Sequence, residues 1–269
     1  MSMNLLHIVT VGTDISGYYN ILMDSCNRLK LNIVNIGLNK KWTGFTMRFS
    51  LLYEYLQQLK DNDIILFTDA YDVIFLENEK DILNKFYQFN KPIVFGDQSG
   101  PLSDYTMLTC NQHHLCGGSY IGYVKYIKQL LNIIYNPDIY ETFHNDDQLV
   151  LNYICQNHSF FDKYVSVDTN HDIFYITNVD TYININYWTH NNIGLTMNNG
   201  LLLKSDNKQP SVLHLAAQVN GDKYIQYLNY DINKIVPINS EYRIKQVFHI
   251  CISLIKRKLW IHIFIILII

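Results

Sequence analysis

The fold is decided by the segment Phe67-Thr-Asp-Ala-Tyr-Asp-Val-Ile-Phe75, which joins a strand to a pair of acids. The run that leads into it, from Asp63 to Phe67, is apolar after its first residue and typical of a parallel strand buried on both faces. Asp69 and Asp72 follow where that strand ends. Open α/β sheets bind ligands in the crevice at the carboxyl ends of their strands. The segment therefore predicts an α/β fold with a site at that edge.

Strand and helix patterns alternate on both sides of this segment. Further strands are predicted at 5–11, 31–36 and 92–95, and helices at 16–29, 47–59 and 79–89. Together they predict a Rossmann-like, mainly parallel sheet in the first hundred residues.

The second half is less regular. A strand at 117–124 runs into a helix that ends near 135, and a further helix is predicted from 146 to 153. Short strands at 174–185, 200–204 and 212–215 predict a mixed C-terminal extension of the sheet. We expect one catalytic domain, residues 1–231, followed by a C-terminal appendage, residues 232–269.

Composition limits the function classes. Hydrophobic residues make up 48% of the 269 residues, which is typical of a packed globular protein. The net charge of −3 argues against nucleic-acid binding. Five cysteines form no CxxC pair, which excludes a typical zinc site and favours mostly reduced thiols. The first residues show no basic stretch ahead of an apolar run, so we expect no secretory signal and a cytoplasmic location.

The carboxyl end has a different character. An apolar stretch from Leu259 to Ile269 follows the basic residues Lys256 to Lys258. It is too short for a spanning helix, which needs about 20 apolar residues. Residues 256–269 therefore predict peripheral contact with a membrane surface, or else a terminal helix or strand packed on the domain or on a partner.

Asp69 and Asp72 indicate a metal site. Hard carboxylate oxygens at a strand's end favour Mg²⁺ or Mn²⁺, and such an ion can bridge a diphosphate. The alternative interpretation is a helix cap or turn, where Asp is common. His214 ends the apolar run that begins at Ser211, and an imidazole is an acceptable third ligand for Mn²⁺. An isolated histidine on a strand is more often structural.

Other residues carry weaker signals. Asp146 and Asp147 open a predicted helix, where an acid either caps the helix or serves a reaction as a base, as a stabiliser of an oxocarbenium-like state, or as an acceptor-orienting group. The glycine pair after Cys116 would let the backbone approach a sugar, although such pairs also mark ordinary turns. Trp42 and Tyr71 offer stacking faces for a uracil or a sugar, but abundant aromatics usually pack.

The order of these motifs resembles that of the glycosyltransferase domain of procollagen lysyl hydroxylases and related collagen glycosyltransferases. The resemblance covers roughly residues 5 to 230. It is carried by the following segments: Ile8-Val-Thr-Val-Gly-Thr13, the loop around Trp42, Phe67-Thr-Asp-Ala-Tyr-Asp-Val-Ile-Phe75, Gly117-Gly-Ser-Tyr-Ile-Gly122, Asn145-Asp-Asp-Gln-Leu149, and His214 with Asn220-Gly221.

The resemblance implies a GT-A type fold, Mn²⁺, and a UDP-glucose or UDP-galactose donor. The acceptor it implies is hydroxylysine or galactosyl-hydroxylysine in a collagen-like protein. Carried over by motif, the residues are Asp69, Asp72 and His214 for the metal, Thr10, Gly12, Thr13, Trp42, Tyr71, Asn220 and Gly221 for the nucleotide, and Asp146 and Asp147 near the transferred sugar.

The sequence also departs from the family. Arg48 stands in the region where the family has a lysine in a glycine-rich stretch, and we expect either that it replaces that phosphate-facing cation or that the position is lost. The family's His-Gly-Asn-Gly is expanded here between His214 and Gly221. Three alternatives stay open: an acceptor that is a non-collagen viral or bacterial glycan, an inactive UDP-binding homologue, and a membrane-docking structural protein.

Overall fold

The computed structural model describes residues 4–99, 109–136, 146–177, 193–216 and 219–237. The strands are β1 Leu6–Thr10, β2 Ile33–Asn35, β3 Ile64–Thr68, β4 Val73–Phe75, β5 Ile93–Asp97, β6 Leu115–Tyr123, β7 Val165–Asp168, β8 Phe174–Ile176, β9 Thr196–Asn198, β10 Leu201–Leu203 and β11 Val212–His214. The helices are α1 Tyr19–Leu29, α2 Met47–Leu56, α3 Glu79–Phe86, α4 Val124–Ile134, α5 Asp147–Asn157, α6 Phe160–Tyr164 and α7 Asp222–Tyr227, with a 3-10 turn at Ile232–Lys234.

The central sheet has six strands in the order β2-β1-β3-β6-β5-β7. Strands β2, β1 and β3 are parallel, β6 runs antiparallel to both of its neighbours, and β7 pairs parallel with β5. This confirms the mainly parallel α/β sheet expected from the alternating pattern. The strand β7 escaped sequence analysis because it follows the five-residue helix α6 without a turn signal.

The later strands do not extend the central sheet. Strands β4, β11 and β8 form a second sheet of three strands, and β9 and β10 form a separate hairpin. The mixed character is as expected, since β11 runs antiparallel to β4 and parallel to β8. The second sheet is separate from the central sheet because its strand β4 begins immediately after Asp72, in the segment that carries the two aspartates.

Both faces of β3 are covered, as its apolar sequence predicts. Side chains alternate along a strand, so Ile65 and Phe67 pack on one face with residues of α2, α4 and α5. Ile64 and Leu66 pack on the other face with residues of α1 and α3. Every residue of β3 is buried. The strand's carboxyl end is thereby held rigidly at the centre of the domain.

Two cysteines correct the expectation of reduced thiols. Cys110 and Cys155 form a disulfide with a Cα–Cα distance of 5.4 Å, whereas Cys26 and Cys116 are free and buried. The pairing joins the residues ahead of β6 to α5 across 45 positions of sequence. No spacing rule links cysteines so far apart, so only the fold reveals the pair.

Parts of the sequence-based predictions lie outside the described residues. These are residues 256–269, which carry the predicted membrane contact, and the end of the strand predicted at 174–185. The first residues of the predicted appendage are described and pack on the domain: the Gly17 amide donates to the Val236 carbonyl at 2.7 Å, and Lys234 pairs with Asp24. In the described part of the chain, every helix is too short or too polar to cross a bilayer.

Candidate metal and nucleotide site

All three predicted metal ligands meet at the carboxyl edge of the central sheet. Asp69 and Asp72 lie on the turn between β3 and β4, and His214 ends β11, where it pairs in register with Val73. The Leu215 amide donates to the Asp72 carbonyl at 2.7 Å. Antiparallel pairing of β4 with β11 therefore brings a histidine from 142 positions later beside the two acids.

The geometry of this cluster suits one divalent cation. One ligand atom from each side chain lies within 4.8 Å of the others. His214 Nε2 is 3.5 Å from Asp69 Oδ2 and 3.4 Å from Asp72 Oδ1. Two carboxylate oxygens and an imidazole nitrogen form a donor set that Mn²⁺ accepts. The side chains fit the metal that the resemblance implied.

Burial makes the charges in this cluster interdependent. Burial raises the pKa of Asp72, and the neighbouring His214 opposes this shift. For His214, burial acts to lower the pKa, but the Asp72 carboxylate outweighs it and the pKa lies well above its usual value. A positive charge at this point is therefore favourable, whether it is carried by a proton or by a metal.

Arg48 lies inside the site. It is the second residue of α2, is buried, and directs one guanidinium nitrogen to Asp69 and another to Asp147. Burial acts to lower the pKa of Arg48, but the carboxylates of Asp147 and Asp69 raise it above its usual value. Arg48 therefore connects Asp69, a predicted metal ligand, to Asp147, a predicted catalytic residue.

The two predicted catalytic acids have different environments. Asp146 is the N-cap of α5, and its Oδ1 accepts a hydrogen bond from the Leu149 amide at 2.9 Å. Asp147 is buried and faces Arg48; burial raises its pKa to about 6, and the guanidinium opposes that shift. Asp146 thus takes the capping role that the sequence left open, and Asp147 is the acid that enters the site.

The glycine pair of β6 accommodates these acids. A Cβ on Gly118 would overlap the Asp69 carboxylate, and one on Gly117 would lie 2.6 Å from Asp147 Oδ2. The Asp69 amide also donates to the Gly118 carbonyl at 3.0 Å. The pair was expected to let the backbone approach a sugar. The structure shows that it leaves room for the two carboxylates.

The predicted nucleotide loop follows β1. Thr10 is fully buried, and its hydroxyl has no hydrogen-bond partner among the described residues. The Tyr71 hydroxyl accepts hydrogen bonds from the amides of Thr13 at 2.7 Å and Asp14 at 3.2 Å. Tyr71 lies between Asp69 and Asp72 in the sequence. Its hydroxyl therefore connects this loop to the cluster of Asp69, Asp72 and His214.

Asn35 is a site residue that the sequence analysis missed. At the end of β2, its Oδ1 accepts from the amides of Gly12 at 3.0 Å and Gly37 at 2.9 Å. Its Nδ2 donates to the Gly12 carbonyl at 3.0 Å. A single side chain therefore fixes Gly12 on both its amide and its carbonyl side. The Asn35-Ile-Gly37 sequence has no motif that signals this role.

The remaining predicted nucleotide residues lie between β2 and α2 and beyond His214. Trp42 is half-buried and packs edge-on against Phe45, with ring centroids 5.4 Å apart. Gly221 precedes α7; its amide donates to the Tyr18 hydroxyl at 3.0 Å, and a Cβ on it would overlap Leu215. Asn220 is exposed. Gly221 thus packs against Leu215, the residue that follows His214.

Together, the fold and these side chains define a class of protein. It is an α/β domain with two aspartates and a histidine, arranged as metal ligands are, at the carboxyl edge of its sheet. The chain belongs to the PLOD GT domain family, whose sequence model matches residues 2–236. This is the glycosyltransferase family indicated by the motif order, and the mainly parallel α/β sheet is the one expected. The chain is therefore a glycosyltransferase-family domain.

Similar proteins agree with this assignment. The chain is 29% identical over 163 residues to the multifunctional procollagen lysine hydroxylase and glycosyltransferase of Caenorhabditis elegans, covering 54% of this chain and 22% of that protein. It is 25% identical over 142 residues to human procollagen-lysine,2-oxoglutarate 5-dioxygenase 2, covering 47% of this chain and 19% of that protein. The match thus spans about a fifth of the length of these relatives.

Two solved glycosyltransferase structures align with most of the chain. A glycosyltransferase involved in glycosylation of the major capsid of PBCV-1 aligns with 82% of this chain and 98% of its own, at 13% identity and a TM-score of 0.49. Mouse xyloside xylosyltransferase 1 aligns with 81% of this chain and 99% of its own, at 11% identity and a TM-score of 0.48.

Proposed function

We propose that this chain is a Mn²⁺-dependent hexosyltransferase that moves glucose or galactose from a UDP-sugar to a collagen-like protein. The acceptor groups are hydroxylysine or galactosyl-hydroxylysine. The observation that carries the proposal is the convergence of Asp69, Asp72 and His214 at the sheet edge, within a chain of the PLOD GT domain family.

The balance of charge supports a divalent ion at this site. Asp69 and Asp147 pair with the guanidinium of Arg48, and Asp72 lies against His214, so the three carboxylates leave a formal excess of two negative charges when His214 is neutral. Asp69, Asp72 and His214 hold the ion in the proposal. When bound, it supplies positive charge that stabilises the diphosphate of the leaving UDP.

The protein's own residues supply the remaining functions. Asn35 and Tyr71 fix the loop from Gly12 to Asp14, where the proposed donor's nucleoside binds. Preformed loops of this kind reduce the entropic cost of binding a ligand. Trp42 completes the proposed nucleotide residues, and Asn220 and Gly221 contribute from the segment after His214.

Asp147 is the carboxylate that we propose as the catalytic base. Because Arg48 links it to Asp69, its carboxylate lies one side chain away from the proposed metal and donor. There it orients the acceptor hydroxyl and takes up its proton as the sugar is transferred. A pKa raised to about 6 still leaves this group ionised at neutral pH.

The collagen-like acceptor rests on the relatives. Two proteins that resemble this chain are named for the hydroxylation of procollagen lysine, and one of them is also named as a glycosyltransferase. Hydroxylysine is the product of such hydroxylation, and its hydroxyl is a nucleophile of the kind that a hexosyltransferase requires.

The test is a donor and acceptor screen with Mn²⁺. UDP-glucose and UDP-galactose are each offered with a collagen peptide containing hydroxylysine, the same peptide with lysine, and a non-collagen glycan. We expect transfer only to the hydroxylated peptide, and a loss of at least about 100-fold in the variant Asp72→Ala.

The matched control is Asp61→Ala, which removes an exposed acid just before the opposite end of β3 and should leave transfer intact. Transfer to the glycan alone would contradict the collagen-like acceptor and leave the enzyme class standing. Parental activity in Asp72→Ala would contradict the metal site. UDP binding without transfer or hydrolysis would identify an inactive homologue.

A further inference from the structure

The ring of His214 has a second nitrogen whose surroundings the proposed reaction does not use. Its Nε2 faces the carboxylates of Asp69 and Asp72. Its Nδ1 points the other way, into the sheet, where Ser119 Oγ lies 2.9 Å away. Both His214 and Ser119 are buried, at 2% and 0% exposure. The two nitrogens of this ring therefore have separate and well-defined partners.

A metal-binding imidazole has to present one nitrogen without a proton. In a neutral ring the proton then lies on the other nitrogen, and the group that accepts it selects the tautomer. Ser119 has an oxygen that can accept this hydrogen bond. Cys116 Sγ is also near Nδ1, but at 3.7 Å, and sulfur is a weak acceptor.

We propose that Ser119 is a positioning residue for the metal site: its hydroxyl accepts a hydrogen bond from Nδ1–H of His214 and so fixes the ring with the Nε2 lone pair toward Asp69 and Asp72. This inference rests on the proposed function, because it concerns the same cluster. Ser119 lies within the Gly117–Gly122 segment, but neither the resemblance nor the set of proposed metal ligands gives this serine a role.

The central sheet fixes the position of the serine hydroxyl. Ser119 pairs in register with Thr68 at the end of β3, and the neighbouring Gly118 carbonyl accepts from the Asp69 amide. His214, by contrast, belongs to the second sheet. The Ser119–His214 hydrogen bond therefore joins the two sheets at the point where the ligands from each must meet.

The test measures Mn²⁺ affinity without donor or activity. Free Mn²⁺ is followed by electron paramagnetic resonance during titration of the full-length chain and of Ser119→Ala. Loss of a second-sphere partner of a ligating histidine typically weakens metal binding by about 10- to 100-fold, and we expect a loss in this range. The control Cys116→Ala, on the same strand and also buried, should change the affinity by less than about threefold.

Two further measurements separate positioning from folding. The melting temperature without metal should be similar in the parent and in Ser119→Ala. The variant Ser119→Thr retains the hydroxyl on a residue suited to a strand, and we expect it to retain most of the affinity. Equal losses in the alanine and threonine variants would show that shape matters and not the hydroxyl, and would overturn the inference.

The remaining outcomes are also decisive. Unchanged affinity in Ser119→Ala, or a larger loss in Cys116→Ala, would remove Ser119 from the role. A parent chain that binds no Mn²⁺ while still transferring sugar would contradict the metal site of the proposed function itself. These two failures are distinguishable, since the first concerns the variant and the second the parent.

Discussion

Acidic residues lie near both ends of β3, and their pKa values are shifted in opposite directions. At the amino end, burial acts to raise the pKa of Asp63, but hydrogen bonds from the Leu5 amide and the His7 ring outweigh it and the pKa is lowered. At the carboxyl end, burial dominates, and the pKa values of Asp72 and Asp147 are raised despite His214 and Arg48.

The contrast separates a structural acid from functional ones. Asp63 is stabilised as a carboxylate by groups of its own domain, so it contributes to stability. The acidic residues at the other end lie close together, and the single positive charge of Arg48 does not balance their negative charges. Groups that a fold holds in such a state are often those that bind a ligand or take part in chemistry. The same strand thus has a structural end and a functional end.

The largest effect is expected from Asp147→Asn. The change removes the carboxylate proposed to orient the acceptor and take its proton, and such groups contribute about 10²- to 10⁴-fold to rates. We expect kcat to fall within this range, while the Mn²⁺ affinity stays near the parental value. Steady-state kinetics and a Mn²⁺ titration measure the two quantities.

Asp146→Asn is the matched control, because asparagine is also a good N-cap and retains the acceptor for the Leu149 amide. We expect its kcat to remain within about fivefold of the parent. A fall equal to that of Asp147→Asn would show that both acids act in the reaction, and would contradict the division between a cap and a catalytic acid.

The glycine pair should give the next largest effects, and each variant controls for the other. A Cβ at position 118 overlaps the Asp69 carboxylate, so Gly118→Ala should weaken Mn²⁺ binding by about tenfold or more. A Cβ at position 117 meets Asp147, so Gly117→Ala should lower kcat with little change in Mn²⁺ affinity. Identical behaviour of the two variants would contradict the separation of metal and catalytic acids.

The structural end is tested by Asp63→Asn through stability. The folded pKa of Asp63 is lowered, so its contribution is present above the unfolded value near 4 and is lost as pH falls through the folded pKa. We expect unfolding at pH 7 to cost about 1–3 kcal/mol less in the variant, with a smaller difference at low pH. Urea denaturation at several pH values measures this. A difference that grows on acidification would contradict the assignment.

The smallest effect is expected from Tyr71→Phe. The variant removes the hydroxyl that accepts from the amides of Thr13 and Asp14, and it retains the ring. A hydrogen bond of this kind contributes about 0.5–1.5 kcal/mol, so KM for the UDP-sugar should rise by about 2- to 10-fold with kcat unchanged. Tyr87→Phe, at an exposed tyrosine, is the control. A change in kcat alone would place Tyr71 elsewhere in the reaction.

The sequence predicted those features that depend on neighbouring residues. Asp69 and Asp72 were found because an apolar run ends directly before them, and the parallel sheet follows from the alternation of strands and helices. The role of Asp146 as a cap was already one of the two open interpretations, since an acid that opens a helix accepts from the free amides of its first turn.

Features that depend on strand register were not predictable from local pattern. His214 joins the acids because β11 pairs with β4, and only the family resemblance indicated this beforehand. Ser119 reaches His214 across two different sheets, Asn35 reaches Gly12 beyond the neighbouring strand, and Cys110 meets Cys155 through packing of α5. Such contacts depend on how distant elements align, which composition and periodicity do not encode.

The most direct test of the central claim is anomalous diffraction from crystals of the full-length chain grown with Mn²⁺ and UDP. We expect one strong manganese peak bonded to carboxylate oxygens of Asp69 and Asp72 and to Nε2 of His214, with the UDP diphosphate in contact with the ion. A well-occupied UDP bound elsewhere, or these three side chains without a peak at saturating Mn²⁺, would contradict it.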